Sequence, residues 1–470
     1  MTEELNSMDL PDSHTSTSQR SNVQTFNDIA SAPTIAPVSR ETVEMLSDLY
    51  DEPDWMRAAR LEAWDLYTGL DLPDQQEEAW RRTNLRAYPL DTLRLTFSAR
   101  ELDGIYSLPP CWDVMLAPVE QVSGVLVHCN GARTYSTLRR EDARHGVLLE
   151  SLHTALLTHG DLIRSYWMQG VTTRPETNKF TALNAALWHG GTFVYVPAGV
   201  HVARPLQSLV AYDAEGGTGL HHTLLVAERG SRVTLIQDRV SQDLQDEVNA
   251  EIVEIYAEAG AWVRYVSLQH WSEHRHSVSV QEAQVAQDTN FVWVAGSLGG
   301  RMTKDFLRSN LRETGARVAM AGFSFVHGDQ HLDQSTYQHH QASHTYSDLL
   351  FRNVLRDQAR TVFYGMIRVE TDAGGGTEGY QASNNLLLDD ARVHAIPGLE
   401  IIANDVRCSH GATVSRIDPE ERFYLQARGL SQPDAEGLIV QGFVRPIVER
   451  TPLAYLRNRL EGEIVERFWS

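Results

Sequence analysis

The sequence has few cysteines, few basic residues and no long apolar run, and each shortage narrows what the chain can be. Its three cysteines, Cys111, Cys129 and Cys408, are far apart and form no CxxC pair. That disfavours a disulfide framework or a cysteine-based zinc site and points to a reducing, cytoplasmic setting. Lysine and arginine together number 41 against 62 aspartates and glutamates, for a formal charge of −21 over 470 residues. Nucleic acid and anionic membranes are disfavoured as partners, because both need a cationic face, and the charge reads as a solvated surface. No apolar stretch approaches the roughly 18–20 residues of a membrane span. The N-terminus is polar rather than basic and then apolar, so no secretory signal is expected.

What is present divides into four stretches. Residues 1–40 are rich in Ser, Thr, Asn, Asp and Pro and poor in large apolar groups. Such a segment cannot bury enough surface to offset its ordering entropy, so a disordered tail is expected. Residues 41–177 read as a helical or mixed region, with Val43, Leu46, Leu49 and Tyr50, then Leu61, Trp64 and Tyr67, at helical spacing. From 178 to 417 the chain turns to short runs of β-branched and aromatic residues bounded by turn residues, the signature of strands. Residues 418–470 return to helix: Asp418 can cap, Pro419 suits the first helical position, and Glu421 sits where a capping-box acid belongs. A second helix is expected from Ser431 and a third from Pro452.

A loose repeat runs through the strand-rich stretch. A bulky residue is followed four positions later by Gly or Ala, and three after that by Val. It occurs as Leu187/Gly191/Val194, Val226/Gly230/Val233, Tyr256/Gly260/Val263, Leu311/Gly315/Val318 and Leu355/Ala359/Val362. Leu387/Ala391 begins a sixth copy, in which His394 replaces the valine. The unit reads as strand, tight bend at the small residue, strand. Stacked units bury a continuous core that no single unit could bury alone. A mainly β fold is therefore predicted: a β-solenoid, in the form of a parallel β-helix, flanked by N-terminal and C-terminal helical regions. The competing β-sandwich or cupin-like barrel would show more hairpin turns of the Asn-Gly type. A small helical appendage after a solenoid serves as a cap against strand addition, as a docking surface, or as both.

Histidine is the richest source of candidate chemistry, in His221-His222, His270/His274/His276, His327/His331, and His339-His340 with His344. The 340–344 spacing would suit two metal ligands on a helix, but it lies between strand-like runs. The plain alternative for each cluster is an exposed or hydrogen-bonded histidine. The run Gly374-Gly375-Gly376-Thr377 lacks the lysine and helix of a phosphate loop and reads as a flexible corner. Cys408 and His410 are two apart, so a strand would turn both to one face. Such a pair could be a low-pKa thiolate, a sulfur acceptor or two ligands for a soft or borderline metal. It could equally be a buried Cys packed beside a hydrogen-bonded His.

Several motifs carry a resemblance. They are Asn178-Lys179-Phe180-x-Ala182-Leu183-Asn184, Val194-x-Val196-Pro197-x-Gly199-Val200, Leu386-Leu387-Leu388 and Pro397-x-Leu399-Glu400-Ile401. More specific still are Asp405-Val406-x-Cys408-Ser409-His410-Gly411-Ala412-Thr413-Val414, Phe423-Tyr424-Leu425-x-x-Arg428-Gly429 and Gly442-Phe443. Through them, from residue 178 onward, the chain resembles the SufB/SufD family of iron–sulfur cluster assembly proteins. It is more similar to the SufD branch, which shows the Cys-Ser-His-Gly-Ala-Thr run; the cysteine that the SufB branch carries before its Leu-Leu strand stands here as Ser383.

The resemblance implies a right-handed parallel β-helix that pairs with SufB, or with itself in isolation, and docks the ATPase SufC. The SufC surface would comprise Phe423, Tyr424, Arg428, Leu438 and Phe443. His410 and Cys408 would face the SufB interface, where a nascent iron–sulfur cluster forms, with His410 as a transient iron ligand or proton donor. No tightly bound cofactor and no enzymatic activity of its own are implied, only a cytoplasmic scaffold role. The alternatives are a SufB-like subunit that itself accepts sulfur, and a β-helix carbohydrate-active enzyme, which would need acids clustered with Arg or Lys on one face.

Overall fold

From residue 221 onward each strand pairs in parallel with the next strand but one, so alternate strands build two facing sheets. The computed structural model describes residues 34–90, 93–97, 112, 114–214, 217–244 and 247–469. One sheet runs from Leu206–Tyr212 to Val406–Arg416, the other from Gly190–Val196 to Arg392–Ile401. Each coil takes roughly 30 residues, within the range of solenoid repeats. The register is continuous along the stack: Val233, Val263, Phe291, Val318, Ser347, Gly379 and Cys408 lie one above another. The neighbouring row is Leu235, Tyr265, Trp293, Met320, Leu349, Gln381 and His410. The predicted β-solenoid with helices at either end is the observed architecture.

The bends explain the repeat. Gly230, Gly260 and Gly315 have φ of 66, 69 and 78, which a side chain resists and glycine accepts freely. In the later copies Ala359 and Ala391 do not carry the positive φ; it falls on Asp357 and Asp389, at 58 and 56. Aspartate tolerates the left-handed region better than most residues, so the same corner is made from different letters. Leu187/Gly191/Val194 is no corner at all. Gly191 lies inside the strand Gly190–Val196, and a Cβ there would come 2.6 Å from that of Leu152.

Residues 1–33, most of the stretch expected to be a disordered tail, lie outside the described residues. Thr34–Pro37, assigned to that tail by composition, is a strand paired antiparallel with Arg94–Phe97, a partner that composition cannot reveal. The sheets also begin before residue 178, because Gly124–Cys129 pairs in parallel with Leu206–Tyr212, and Leu148–Ser151 pairs antiparallel with Gly190–Val196. Lys179–Leu187, at the expected start of the solenoid, is instead a buried helix closed by a capping box between Asn178 and Thr181.

Three apolar layers follow. The lumen holds residues such as Leu235, Tyr265, Trp293, Met320 and Phe351. The helix Lys179–Leu187, through Phe180 and Leu183, and the turn segment around Trp80 cover the outside of the second sheet. The helices Gln432–Val448 and Ala454–Trp469 cover the first sheet through Val440, Val444, Leu460 and Ile464. No helix among the described residues is long and apolar enough to cross a membrane. Close packing in the lumen depends on Gly322, where a Cβ would lie 2.2 Å from Cε1 of the fully buried Phe351. Gly322→Ala is expected to destabilise the chain by about 1–3 kcal/mol in urea unfolding, the usual cost of overpacking a core.

Candidate functional site

The solenoid ends on two strands that each have a neighbour on one side only among the described residues: Val406–Arg416 and Arg392–Ile401. Their outer edges present main-chain N–H and C=O groups without ladder partners, a template for another strand. Val406–Arg416 is 11 residues long and contains neither proline nor lysine; its two charges, Arg407 and Arg416, lie near its ends and leave Cys408–Ser415 uncharged. The tight corner before it is fixed by Gly374, where a Cβ would meet the Asn404 carbonyl oxygen at 2.2 Å.

Parallel pairing keeps each register row on one face. Val406, Cys408, His410, Ala412 and Val414 therefore continue the inward rows of Thr377, Gly379, Gln381, Ser383 and Asn385. On the other sheet Leu399 and Ile401 continue the rows of the buried Ile367 and Val369. With no further coil above them, these core positions are open: Val414 is 53% exposed, and Leu399 and Ile401 exceed a third. The last rung is an apolar mouth carrying one thiol and one imidazole.

Cys408 and His410 do share a face, but two residues along a strand set them roughly 7 Å apart. Cys408 is half-buried against Ile367, Val369 and Ala373. Burial pushes its thiol above the ordinary value, only partly offset by the Gly379 backbone. Cys408 is thus not a low-pKa thiolate in this chain, because no cation stands beside it. Gly379 beneath it leaves room for the sulfur: a Cβ there would lie 3.4 Å from Sγ. His410 is exposed and sits in register over Gln381, whose amide donates to the Gly365 carbonyl at 3.1 Å. Ser383, one row further, is fully buried, and its Oγ accepts from Asn385 Nδ2 at 3.3 Å.

Most of the other candidate histidines are hydrogen-bonded or paired elsewhere. His221 bonds to Thr192 at 3.0 Å, and His222 lies between Asn184 at 3.1 Å and Glu254 at 3.2 Å. His340 lies between Thr345 and Ser347, and burial pulls it down to about 3, so it is a neutral imidazole. His344 sits in a turn with φ of 57, not on a helix with His340. His339 meets Glu370 at 2.7 Å, His331 meets Thr83 at 3.0 Å, and His270 faces Glu463 at 3.0 Å. His327 stands 3.5 Å from Glu273, and the exposed His274 is 3.8 Å from Asp243. Among the described residues, no group of three or more His, Cys, Asp or Glu is placed to hold a metal ion.

The C-terminal helices Pro419–Gln426 and Gln432–Val448 start where Asp418 and Ser431 cap them. Phe423 is 71% exposed, Tyr424 55% and Leu438 50%, and Arg428 lies over the Tyr424 ring at 3.4 Å from its centroid. Phe443 does not belong with them. It packs against the solenoid, with the Arg352 guanidinium 5.3 Å from its ring, because the helix face that carries it is the one buried on the sheet. Leu430, exposed between the two helices, was not legible from periodicity, since it lies in the loop. Sequence reasoning also missed a polar layer inside the lumen, where Arg239 pairs with Glu251 at 2.9 Å and burial pushes Asp305 up to about 6. The cavity there is only about 10 Å³, room for about one water and no sugar.

Residues 210–443 match the family model described as SUF system FeS cluster assembly, SufBD core domain, and residues 43–208 match the SufBD protein N-terminal region. The chain is 24% identical over 441 residues to the iron–sulfur cluster assembly protein SufB of Bacillus subtilis, covering 91% of this chain and 94% of that one. It is 25% identical over 443 residues to an iron–sulfur cluster assembly SufBD family protein of Staphylococcus epidermidis, again covering 91% and 94%. A SufBD family protein of Staphylococcus aureus matches with the same identity and coverage.

Proposed function

Because the chain belongs to the SufBD family of iron–sulfur cluster assembly proteins, we propose that it is the SufD-type scaffold subunit of a cytoplasmic SUF complex. It has no enzymatic activity of its own. Its open end pairs with a SufB-type subunit, and its C-terminal helices dock a SufC-type ATPase. The observation that carries this reading is the open edge of Val406–Arg416, with His410 and Cys408 on the uncovered rung. A strand added along that edge would bring a partner's ligands to His410. One imidazole and one half-buried thiol cannot hold a cluster alone, so a nascent cluster would bridge two chains. Phe423, Tyr424, Arg428 and Leu438 form the exposed docking surface, with Leu430 beside them in sequence, while Phe443 holds the helix that carries Leu438 against the solenoid.

The SufB-like reading, in which this chain itself accepts sulfur, is less well supported. Cys129 and Cys408 lie eight strand steps apart in one sheet, roughly 40 Å, so no direct transfer joins them. By the family resemblance, the position of the SufB cysteine falls on Ser383, which is buried. The test is co-expression with SufB- and SufC-type subunits from the same source, with a tag on this chain alone. A three-component complex is expected, and Val414→Lys should release the SufB-type partner while keeping the ATPase, because a charge at an edge opposes strand addition. Recovery of this chain alone, or of an unchanged complex with Val414→Lys, would count against the pairing.

A further inference from the structure

The outer face of the second sheet carries an unusual register row. His276, Met302, His331, Arg360 and Arg392 open five successive strands and lie directly above one another. Strand spacing sets neighbours in the row about 4.8 Å apart. Part of the row lines a cleft of about 420 Å³, which Arg82 and Arg301 also line. Past Gln358 and Arg360 the cleft continues into a recess bounded by Arg392 and Arg416. Five arginines thus converge on one groove in a chain of formal charge −21.

Two of the five are partly neutralised: Arg301 pairs with Asp329, and Arg82 reaches Glu78 at 3.1 Å. Arg360, Arg392 and Arg416 are exposed and make no ion pair among the described residues, although Asp390 lines the same recess. Carboxylates outnumber cations over the sequence as a whole, yet Arg360 and Arg392, stacked in register without ion pairs among the described residues, repel one another, with the Asp390 carboxylate lining the recess beside them. A guanidinium fork matches the oxygens of a phosphate bidentately, and a row of them suits adjacent phosphates better than a single anion. Met302, Val362 and the His394 imidazole add a largely apolar flank that a ring could lie against. The cleft volume falls within the range of small-molecule sites.

We propose that this groove binds a small phosphate ester with at least two phosphoryl groups, nucleotide-like in size, with the phosphates on Arg360 and Arg392 and the ring toward Met302 and His394. The cleft lies on the outer face of the sheet, and Arg392 and Arg416 belong to the two edge strands that the partner reading also uses, so binding is tested on this chain by itself.

Calorimetric titration of the full chain with ADP and with inorganic pyrophosphate tests it. Both should bind at one site, ADP more tightly, and both should weaken as salt rises. Arg360→Gln and Arg392→Gln should each weaken ADP binding about tenfold or more, the usual loss of a charged hydrogen bond, without lowering the melting temperature. Arg445→Gln, at an exposed arginine on a C-terminal helix, should leave binding unchanged. Failure of wild type to bind either probe, or equal affinity in wild type and both groove variants, overturns the site. Sulfate binding as tightly as ADP would mark an adventitious ion only and overturn it too, and so would binding of an acidic peptide in preference to both probes.

Discussion

Replacing His410 with alanine should leave the three-subunit complex intact and reduce cluster assembly about tenfold or more, the usual scale for loss of a group that holds a metal. The first half of that expectation follows from burial. His410 is exposed on the last rung and no core residue leans on it, so its removal should change stability by no more than about 0.5 kcal/mol. The second half follows from chemistry. An imidazole is a borderline ligand suited to iron, and among the inward positions of this rung only Cys408 offers another donor. Cys408→Ala should have the smaller effect, because burial keeps that thiol protonated and it must lose its proton before it can bind. Cluster formation is read from the visible absorption of the reconstituted complex, and integrity from co-purification. If His410→Ala assembles clusters at the wild-type rate within an intact complex, the architecture stands and the proposed site is wrong.

The reason this site was partly legible lies in periodicity. A two-residue spacing puts Cys408 and His410 on one face of any strand, and the repeat around Gly230, Gly260 and Gly315 announced stacked coils. What local pattern could not show is that the strand is the last of its sheet. Exposure of Val414 and Leu399 is a property of the missing next coil, and no letter in either strand records it. The same blindness placed Phe443 on the docking surface: an aromatic residue on a helix is equally apolar whether it faces a partner or its own sheet. The groove arginines were invisible for a related reason. Arg360 and Arg392 are 32 residues apart in sequence and become neighbours only once the coil length is known. The two later corners were read from Ala359 and Ala391, but the positive φ falls two residues earlier, on Asp357 and Asp389, since the backbone requirement is a positive φ and not a residue type.

The largest stability effect is expected where the last helix is anchored. Ala454–Trp469 buries Leu456, Leu460, Ile464 and Phe468 against the first sheet, and a charged network closes the same contact. Arg459 pairs with the fully buried Asp238, which also accepts from Gln207 Nε2 at 2.9 Å, while Glu463 lies 3.0 Å from His270 Nδ1. Arg459→Ala would leave Asp238 as a buried carboxylate without its main cation, which typically costs about 3–5 kcal/mol. Arg459→Lys should recover part of the loss, having the charge but not the fork.

The pH dependence gives a second, independent reading. Burial pushes Asp238 and Glu463 up, but the opposing cations outweigh it and hold both below the ordinary carboxylate range. Burial pulls His270 down, yet Glu463 and Asp238 outweigh it and hold the imidazole above its usual value. The carboxylates' contribution is therefore present above their unfolded values, about 4, and is lost as pH falls through their lowered folded ones. His270 contributes below its unfolded value, about 6.5, and that share is lost as pH rises through its raised folded one. Anchoring should be strongest between these limits and loosen on both sides. In Arg459→Ala the acid limb should move to higher pH, because Asp238 loses the cation that held it down. Hydrogen exchange in Ala454–Trp469 follows this directly, and SufC-type ATPase recovery should fall with it, since Gln432–Val448, which carries part of the proposed docking surface, packs beside this helix. Unchanged protection of the helix in Arg459→Ala would mean that its apolar face alone holds it and that the buried charges serve only to satisfy one another.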